Sequence, residues 1–206
     1  MKLYTYDPAP NPQRLGLFLK YKGIEIETQQ VDLMTQEQLG EAYSAIVPDR
    51  TVPALVLDDG TVLTEVIGQC IYLEGLYPQK PLLGTTDLER AQIINWDHKL
   101  YLTLLQGVAE ILRNTSKGFV DRAIPGPMNL PQIPELAERG RARLEFGWKE
   151  MNAELESKTW LAGDSFSFAD IDMAVLYGFS GWVKAQPPKE LENVHAYLAR
   201  VQAELA

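Results

Sequence analysis

The sequence is poor in the residues that build disulfides and metal centres. Its 206 residues include one cysteine, Cys70, and two histidines, His98 and His195. A single cysteine excludes an internal disulfide and a cysteine-ligated zinc site, and two histidines are too few for a multi-histidine metal site. We therefore expect no metal cofactor, and a chain of this length can fold without metal or disulfide.

Basic charge and long apolar runs are also scarce. The 19 lysines and arginines face 28 acidic residues, which gives a net charge of −9. Nucleic-acid binding needs a basic face, so this balance argues against a nucleic-acid partner. No apolar run reaches the roughly 18 residues of a membrane helix, and residues 1–6 lack the apolar stretch of a signal peptide. The sequence therefore predicts a soluble, cytoplasmic protein with no membrane partner.

The first 78 residues contain alternating strand and helix patterns. Aromatic and β-branched residues favour strands, Asp59-Gly60 favours a hairpin turn, and apolar residues three or four apart favour helices. The predicted strands are Lys2–Tyr6, Ile24–Val31, Val52–Leu57 and residues 61–63. The predicted helices begin near Asn11, Gln36 and Glu65. The resulting order is βαβαββα.

The rest of the chain shows no convincing strand pattern after a proline-containing linker. The predicted helices span residues 87–113, 134–155, 171–179 and 191–205, and residues 124–134 form a loop. Ser167 followed by Asp170 predicts a capping box at the start of the third of these helices. We therefore expect a domain over residues 1–78, a linker over 79–86 and an all-helical domain over 87–206.

The sequence predicts the capping residues of two helices in the first domain. Asn11 before Pro12 predicts that Asn11 caps the first helix and that Pro12 takes its first position. Arg14 then falls near the helix start, where a surface or interdomain charge is expected. Thr64 is expected to cap the helix that begins at Glu65.

Four motifs in this order resemble those of the glutathione transferase superfamily, over essentially the whole chain. They are Asn11-Pro12-Gln13-Arg14 after the first strand, Thr51-Val52-Pro53-Ala54-Leu55, Leu63-Thr64-Glu65-Val66-Ile67, and Leu161-Ala162-Gly163-Asp164 with Ser165–Asp170. The resemblance is to the bacterial type. It implies an α+β protein with a thioredoxin-like N-terminal domain, an all-α C-terminal domain and a homodimeric assembly.

The resemblance also implies a glutathione site. Pro53 would follow a cis peptide bond, which proline tolerates, and the backbone of Val52 would pair with the cysteinyl backbone of glutathione. Glu65 would help to recognise the γ-glutamyl group at the start of a helix, or it is a surface acid that interacts with the helix dipole. Val66 stands where the family usually has Ser or Thr, which predicts weaker glutathione binding.

The sequence offers two candidates for the residue that would activate the glutathione thiol, because Ala9 and Pro10 stand where the family usually has a hydroxyl or a thiol. The loop resembles the nu-class sequence Thr-Pro-Asn, with Ala9 replacing the threonine. Asn11 is therefore one candidate donor to the thiolate, against the alternative that it only caps the helix. Tyr6, at the end of the first strand, is the second candidate, although strand alternation would bury its ring.

The predicted function is a glutathione transferase-like enzyme. It would use glutathione as a co-substrate and direct the thiolate at a small electrophilic or disulfide substrate, with residues 125–134 helping to shape the acceptor pocket. The alternative is a non-catalytic scaffold protein with an eroded glutathione site. Cys70 is expected in the core, and His98 is expected to pack rather than to bind substrate.

Overall fold

The computed structural model describes residues 1–206, and the chain divides into two compact units. The first unit comprises Met1–Lys80 together with Ile124–Asn129. The second comprises Pro81–Ala123 and Leu130–Ala206. The first unit contains all the strands and the second is helical, so the predicted α+β architecture is confirmed.

The first unit is built on a mixed sheet of four strands in the order β2-β1-β3-β4. The strands are β1 Lys2–Thr5, β2 Glu27–Gln30, β3 Ala54–Val56 and β4 Val62–Leu63. β1 pairs in parallel with β2 and antiparallel with β3, and β4 pairs antiparallel with β3. All four side chains of β2 are exposed, so this edge strand is shorter and more polar than the predicted strand over Ile24–Val31.

Three helices complete this unit, and their order with the strands is the predicted βαβαββα. They are α1 Pro10–Lys22, α2 Glu41–Ser44 and α3 Val66–Leu76. α1 packs against α3 and ends at Gly23, whose φ of 69° requires the left-handed conformation that glycine adopts easily. Beside the sheet, Tyr4 and Tyr43 meet edge to face in a core that also contains Val31, Val47 and Ala54.

The second unit contains five further helices. They are α4 Asp87–Leu100, α5 Gln106–Thr115, α6 Pro134–Glu154, α7 Phe168–Gly181 and α8 Glu192–Leu205. None of the helices in the protein combines the length and the apolar character that a membrane crossing requires. The continuous helical pattern predicted over residues 87–113 becomes α4 and α5, with a π-helical turn, Tyr101–Leu105, between them.

The π-helical turn rearranges backbone hydrogen bonds within one continuous rod. The amide of Gln106 donates to the carbonyl of Tyr101, five residues earlier. The carbonyl of Leu102 accepts from Arg143 Nη1 of α6 at 2.8 Å. The Leu102 carbonyl of the π-helical turn therefore has a hydrogen-bond donor from a neighbouring helix.

The start of α7 is held by a buried hydrogen-bond network. The Asp170 carboxylate accepts from the backbone N–H and hydroxyl of Ser167, from the N–H of Leu161, and from Tyr197 Oη at 2.5 Å. The capping box predicted from Ser167 and Asp170 is confirmed. Burial raises the pKa of Asp170 and that of Tyr197, while the hydrogen bonds to the Asp170 carboxylate act in the opposite direction on Asp170.

Candidate active site

Three segments of the first unit converge at one edge of the sheet. Tyr4 pairs with Ala54 between β1 and β3, and Leu55 pairs with Leu63 between β3 and β4. When these registers are continued beyond the strands, Tyr6 lies opposite Val52 and Glu65 lies opposite Pro53. The end of β1, the segment before β3 and the start of α3 therefore share this edge.

After β1 the chain turns tightly into α1. The N–H of Ala9 donates to the Tyr6 carbonyl at 2.9 Å, and α1 begins at Pro10 with Ala9 as its N-cap residue. The prediction that Asn11 caps the helix and that Pro12 takes the first position was therefore wrong. Pro10 fills the first position, and Asn11 is already inside the helix.

The Asn11 side chain is instead oriented by Arg14. Asn11 Oδ1 accepts a hydrogen bond from Arg14 Nη1 at 3.1 Å. A guanidinium can only donate, so this bond fixes the amide oxygen towards Arg14 and directs the NH₂ group away from it. Asn11 is half-buried and its NH₂ group makes no hydrogen bond within the protein. Arg14 is buried in the chain, which excludes the first of the two predicted alternatives, a surface charge or an interdomain charge.

Tyr6 follows the last residue of β1 and is half-buried. The expectation that strand alternation buries its ring was wrong, because β1 ends at Thr5 and the alternation does not extend to Tyr6. Tyr4 is the strand tyrosine whose ring lies in the core. Tyr6 therefore remains a hydroxyl donor at the same edge of the sheet as Val52.

The segment before β3 contains the predicted cis peptide bond between Val52 and Pro53. Hydrogen bonds hold it on both sides. Tyr43 Oη donates to the Thr51 carbonyl at 2.6 Å, and Gln69 Nε2 donates to the Pro53 carbonyl at 3.0 Å. β3 begins only at Ala54, so the backbone of Val52 lies outside the ladder of the sheet.

α3 begins at the same edge with its amide groups unpaired by any side chain. Glu65 is the exposed N-cap residue and makes no capping hydrogen bond. The first helical bond runs from the N–H of Gln69 to the Glu65 carbonyl, which leaves the N–H groups of the first helical turn available to an anion. Val66 is 4% exposed, so its side chain belongs to the core.

Thr64 does not cap α3, contrary to the prediction from its position. Its hydroxyl donates to Asp49 Oδ2 at 2.9 Å instead. Asp49 lies 15 residues earlier in the chain, in the loop that leads towards the cis peptide bond. The bond therefore joins that loop to the residue that precedes Glu65.

The structure adds three polar residues that the sequence reasoning missed. Gln69 is fully buried and bonds both the Pro53 carbonyl and the Leu63 carbonyl, the latter at 2.7 Å. Arg50 and Thr51, directly before Val52, have a buried Nε atom and a buried Oγ1 atom without hydrogen-bond partners. Their position beside the Val-Pro pair was the signal that could have identified Arg50 and Thr51.

Cys70 and His98 were predicted to have packing roles. Cys70 is fully buried on α3, which confirms the prediction of a core position. His98 is exposed on α4 and its ring is stacked parallel to that of Tyr101, with the ring centroids 6.2 Å apart. His98 packs on a neighbouring side chain of its own unit, as expected.

The edge as a whole is suited to a short, extended and anionic peptide. The Val52 backbone offers main-chain pairing, the start of α3 offers N–H groups to a carboxylate, and the amide of Asn11 is a donor at the start of α1. A donor at a helix start also stabilises a thiolate, because both the hydrogen bond and the helix dipole favour negative charge.

Comparisons with known proteins agree with this geometry. The glutathione S-transferase N-terminal domain model matches residues 9–76, and the glutathione S-transferase C-terminal domain model matches residues 132–204. The chain is 30% identical over 205 residues to glutathione S-transferase 2 of Saccharomyces cerevisiae, covering 98% of this chain and 85% of that protein. It is 30% identical over 204 residues to glutathione S-transferase GstA of Escherichia coli O157:H7, covering 98% and 92%.

A solved structure is similar over the full length of both chains. It is that of a glutathione S-transferase domain-containing protein from Marinobacter aquaeolei, with a TM-score of 0.90 and 28% sequence identity. The two curated relatives carry transferase names, and nothing in the comparisons favours a non-catalytic scaffold.

Proposed function

This chain belongs to the glutathione transferase family, and from that premise we propose that it binds glutathione at the edge of the sheet where β1 ends and α3 begins. The Val52 backbone would pair with the cysteinyl residue of glutathione. Glu65 and the first N–H groups of α3, including that of Val66, would hold the γ-glutamyl group. Arg50, next to this segment, has a buried Nε atom to offer.

The observation that supports catalysis best is the orientation of Asn11. Arg14 engages the amide oxygen, which leaves the NH₂ group as a donor at the start of α1. A free thiol has a pKa near 8.5, and lowering it by two units needs about 2.7 kcal/mol. A hydrogen bond to a charged group contributes about 1.5–3 kcal/mol, so Asn11 and the helix dipole together are sufficient.

The thiolate would then attack an electrophilic carbon or a disulfide sulfur of the acceptor. In the first case the carbon–sulfur bond forms as the leaving group departs with its electron pair. In the second, a mixed disulfide forms as the other thiolate departs, and a second thiol must resolve it. Holding both reactants at one site supplies the rest of the acceleration. A cytoplasmic location, where glutathione is kept reduced, suits this chemistry.

The test is the pKa of the thiol of bound glutathione, followed by the ultraviolet absorbance of the thiolate as pH is varied. We expect the Asn11→Ala variant to raise that pKa by about one unit or more, since it removes a donor to a charged group. The matched variant is Tyr6→Phe, for which we expect little change. A pKa that responds to Tyr6→Phe and not to Asn11→Ala would overturn the assignment, and no binding of glutathione or its disulfide would overturn the function.

The proposal includes a homodimer. Ile71, Tyr72 and Leu76 of α3 are large apolar side chains that are each more than a third exposed. Such side chains are typical of surfaces that a second subunit covers. Sedimentation at micromolar concentration should give twice the chain mass, and a monomer would contradict this part of the proposal.

A further inference from the structure

A cavity of about 180 Å³ lies between one face of α6 and the segment that joins α7 to α8, and all its lining residues belong to the second unit. Leu144 and Trp148 of α6 are buried and line it, together with Ala185, Pro188 and Leu191 of the joining segment. A cavity of about 150 Å³ with apolar walls is large enough to hold benzene. The cavity can therefore hold one aromatic ring and little more.

Hydrogen bonds hold the joining segment in place beside α6. Trp148 Nε1 donates to the Ala185 carbonyl at 3.0 Å, and the N–H of Ala185 donates to the Ser180 carbonyl at 3.0 Å. His195 Nε2 lies 3.1 Å from the Pro188 carbonyl. Both walls of the cavity are therefore fixed by contacts within the protein, and a ligand would not have to order them on binding.

Three charged residues of α6 also line the cavity, and they follow one another at intervals of one helical turn. Glu145 pairs with Lys149, with Oε1 lying 2.7 Å from Nζ. A glutamate pairs better with a cation four residues after it than with one four residues before it, so Glu145 bonds Lys149 and not Arg141. Arg141 is exposed, and its guanidinium makes no ion pair or hydrogen bond within the protein. The cavity thus has one unbalanced positive charge, in a chain with a net charge of −9.

We propose that this cavity binds a small aromatic monocarboxylate, with its ring against Trp148 and the joining segment and its carboxylate at Arg141. A guanidinium can donate two parallel hydrogen bonds to one carboxylate, and the ring would cover the apolar walls. The carboxylate of Glu145, in the same lining, disfavours a second negative group on the ligand. The proposal concerns the second unit alone and does not depend on glutathione binding by the first.

The test follows the indole N–H signals of the isotope-labelled full chain by nuclear magnetic resonance during titration with benzoate. The chain has four tryptophans, and a Trp148→Phe variant identifies the signal of Trp148. We expect a saturable shift of that signal with a dissociation constant of about 1 mM, because the ligand ring would lie against the indole. Neutral benzamide, which has the same shape, should bind about fivefold more weakly. Arg141→Gln should weaken benzoate binding about fivefold and make the two ligands bind equally.

The matched control is Lys117→Gln, which removes an exposed cation that has no ion pair and does not line the cavity. It should leave benzoate affinity unchanged. Ala185→Leu, which adds side-chain volume inside the cavity, should remove the binding of benzoate and benzamide alike.

The proposal is refuted if the Trp148 signal shows no saturable shift, or if benzoate binds Arg141→Gln as tightly as the unmodified chain. An equal loss of affinity in Lys117→Gln would show a general effect of charge and would refute the site as well. The indole signals of each variant report whether it is folded, and Arg141→Gln decides alone if Ala185→Leu is not. A failure of glutathione binding would count against the proposed function and not against this site.

Discussion

The starts of α3 and α7 differ in what satisfies their amide groups. At α7 the Asp170 carboxylate is fully buried and accepts from Ser167, Leu161 and Tyr197. At α3 the N-cap residue Glu65 is exposed and no side chain caps the helix. Both helices are in one chain, and each begins with a polar residue that precedes an apolar run.

The capped start of α7 serves the stability of the fold, and the uncapped start of α3 is suited to binding a ligand. A capped helix start contributes to folding because its N–H groups already have partners, whereas an uncapped start keeps those groups for a ligand. In the first unit, polar side chains near the start of α3 form hydrogen bonds with the segments around the site and do not cap the helix. Gln69 holds the Pro53 carbonyl and Thr64 bonds Asp49.

The largest effect is expected from removing the buried carboxylate of α7. Asp170→Ala leaves several buried donors without an acceptor, each worth about 1–3 kcal/mol, so we expect a loss of about 3–5 kcal/mol of unfolding free energy. The control is Glu89→Ala in the exposed capping box of α4, where a much smaller loss of unfolding free energy is expected. Urea unfolding measures both. Similar losses for the two variants would contradict the distinction between buried and exposed boxes.

A smaller effect is expected at the residue that holds the cis segment. Gln69→Leu removes the donor to the carbonyls of Pro53 and Leu63, so we expect a loss of about 2 kcal/mol in stability and weaker glutathione binding. Gln13→Leu, which removes an exposed bond to the Pro8 carbonyl, is the control. Unfolding and titration with glutathione give the two readouts, and a stability loss with unchanged affinity would show that Gln69 does not position the site.

Glu65 offers the converse test, in which binding changes and stability does not. The Glu65→Gln substitution keeps the size of an exposed residue that makes no capping bond, so unfolding should shift by less than about 0.5 kcal/mol. Glutathione affinity should fall about tenfold, as expected for the loss of one charged contact. Equal affinity in the two proteins would remove Glu65 from the site.

The smallest effect is a pH dependence that belongs to α7 alone. Burial raises the pKa of Asp170 above its unfolded value, so the folded state binds more protons than the unfolded state over that range. Its contribution to stability is therefore present below the unfolded pKa and is lost as pH rises through the folded pKa. The stability difference between the unmodified chain and Asp170→Asn should fall with rising pH, by a fraction of the 1.4 kcal/mol per pH unit that one full proton carries, and a flat difference in urea unfolding would contradict this.

Local patterns predicted much of the fold. The order of elements in the first unit, the cis bond before Pro53 and the capping box at Ser167 and Asp170 depend on residues close together in sequence. The predicted start of α1 was two residues too late, because Pro10 and Pro12 both fit the first helical position. The turn from Tyr6 to Ala9 decided between them.

The missed features depend on residues that are distant in sequence or on burial. The partner of the Thr64 hydroxyl is Asp49, and Gln69 reaches the Pro53 carbonyl 16 residues earlier. The role of Arg14 depends on its burial, which the helix pattern did not indicate. Contacts of this kind appear only when the chain is folded, so the candidate site was predicted in outline and its supporting residues were not.

The π-helical turn, Tyr101–Leu105, has a consequence for chain length. A turn closed from residue i to residue i+5 holds one more residue than an α-helical turn, and the helices on either side keep the phase they would have without it. Deleting one residue there would convert the rod into a continuous α-helix, and the buried faces of α4 and α5 would stay aligned. The same deletion elsewhere in either helix would rotate one face by about 100° against its neighbours. The turn is thus the position at which this rod can gain or lose a single residue during divergence while its packing is retained.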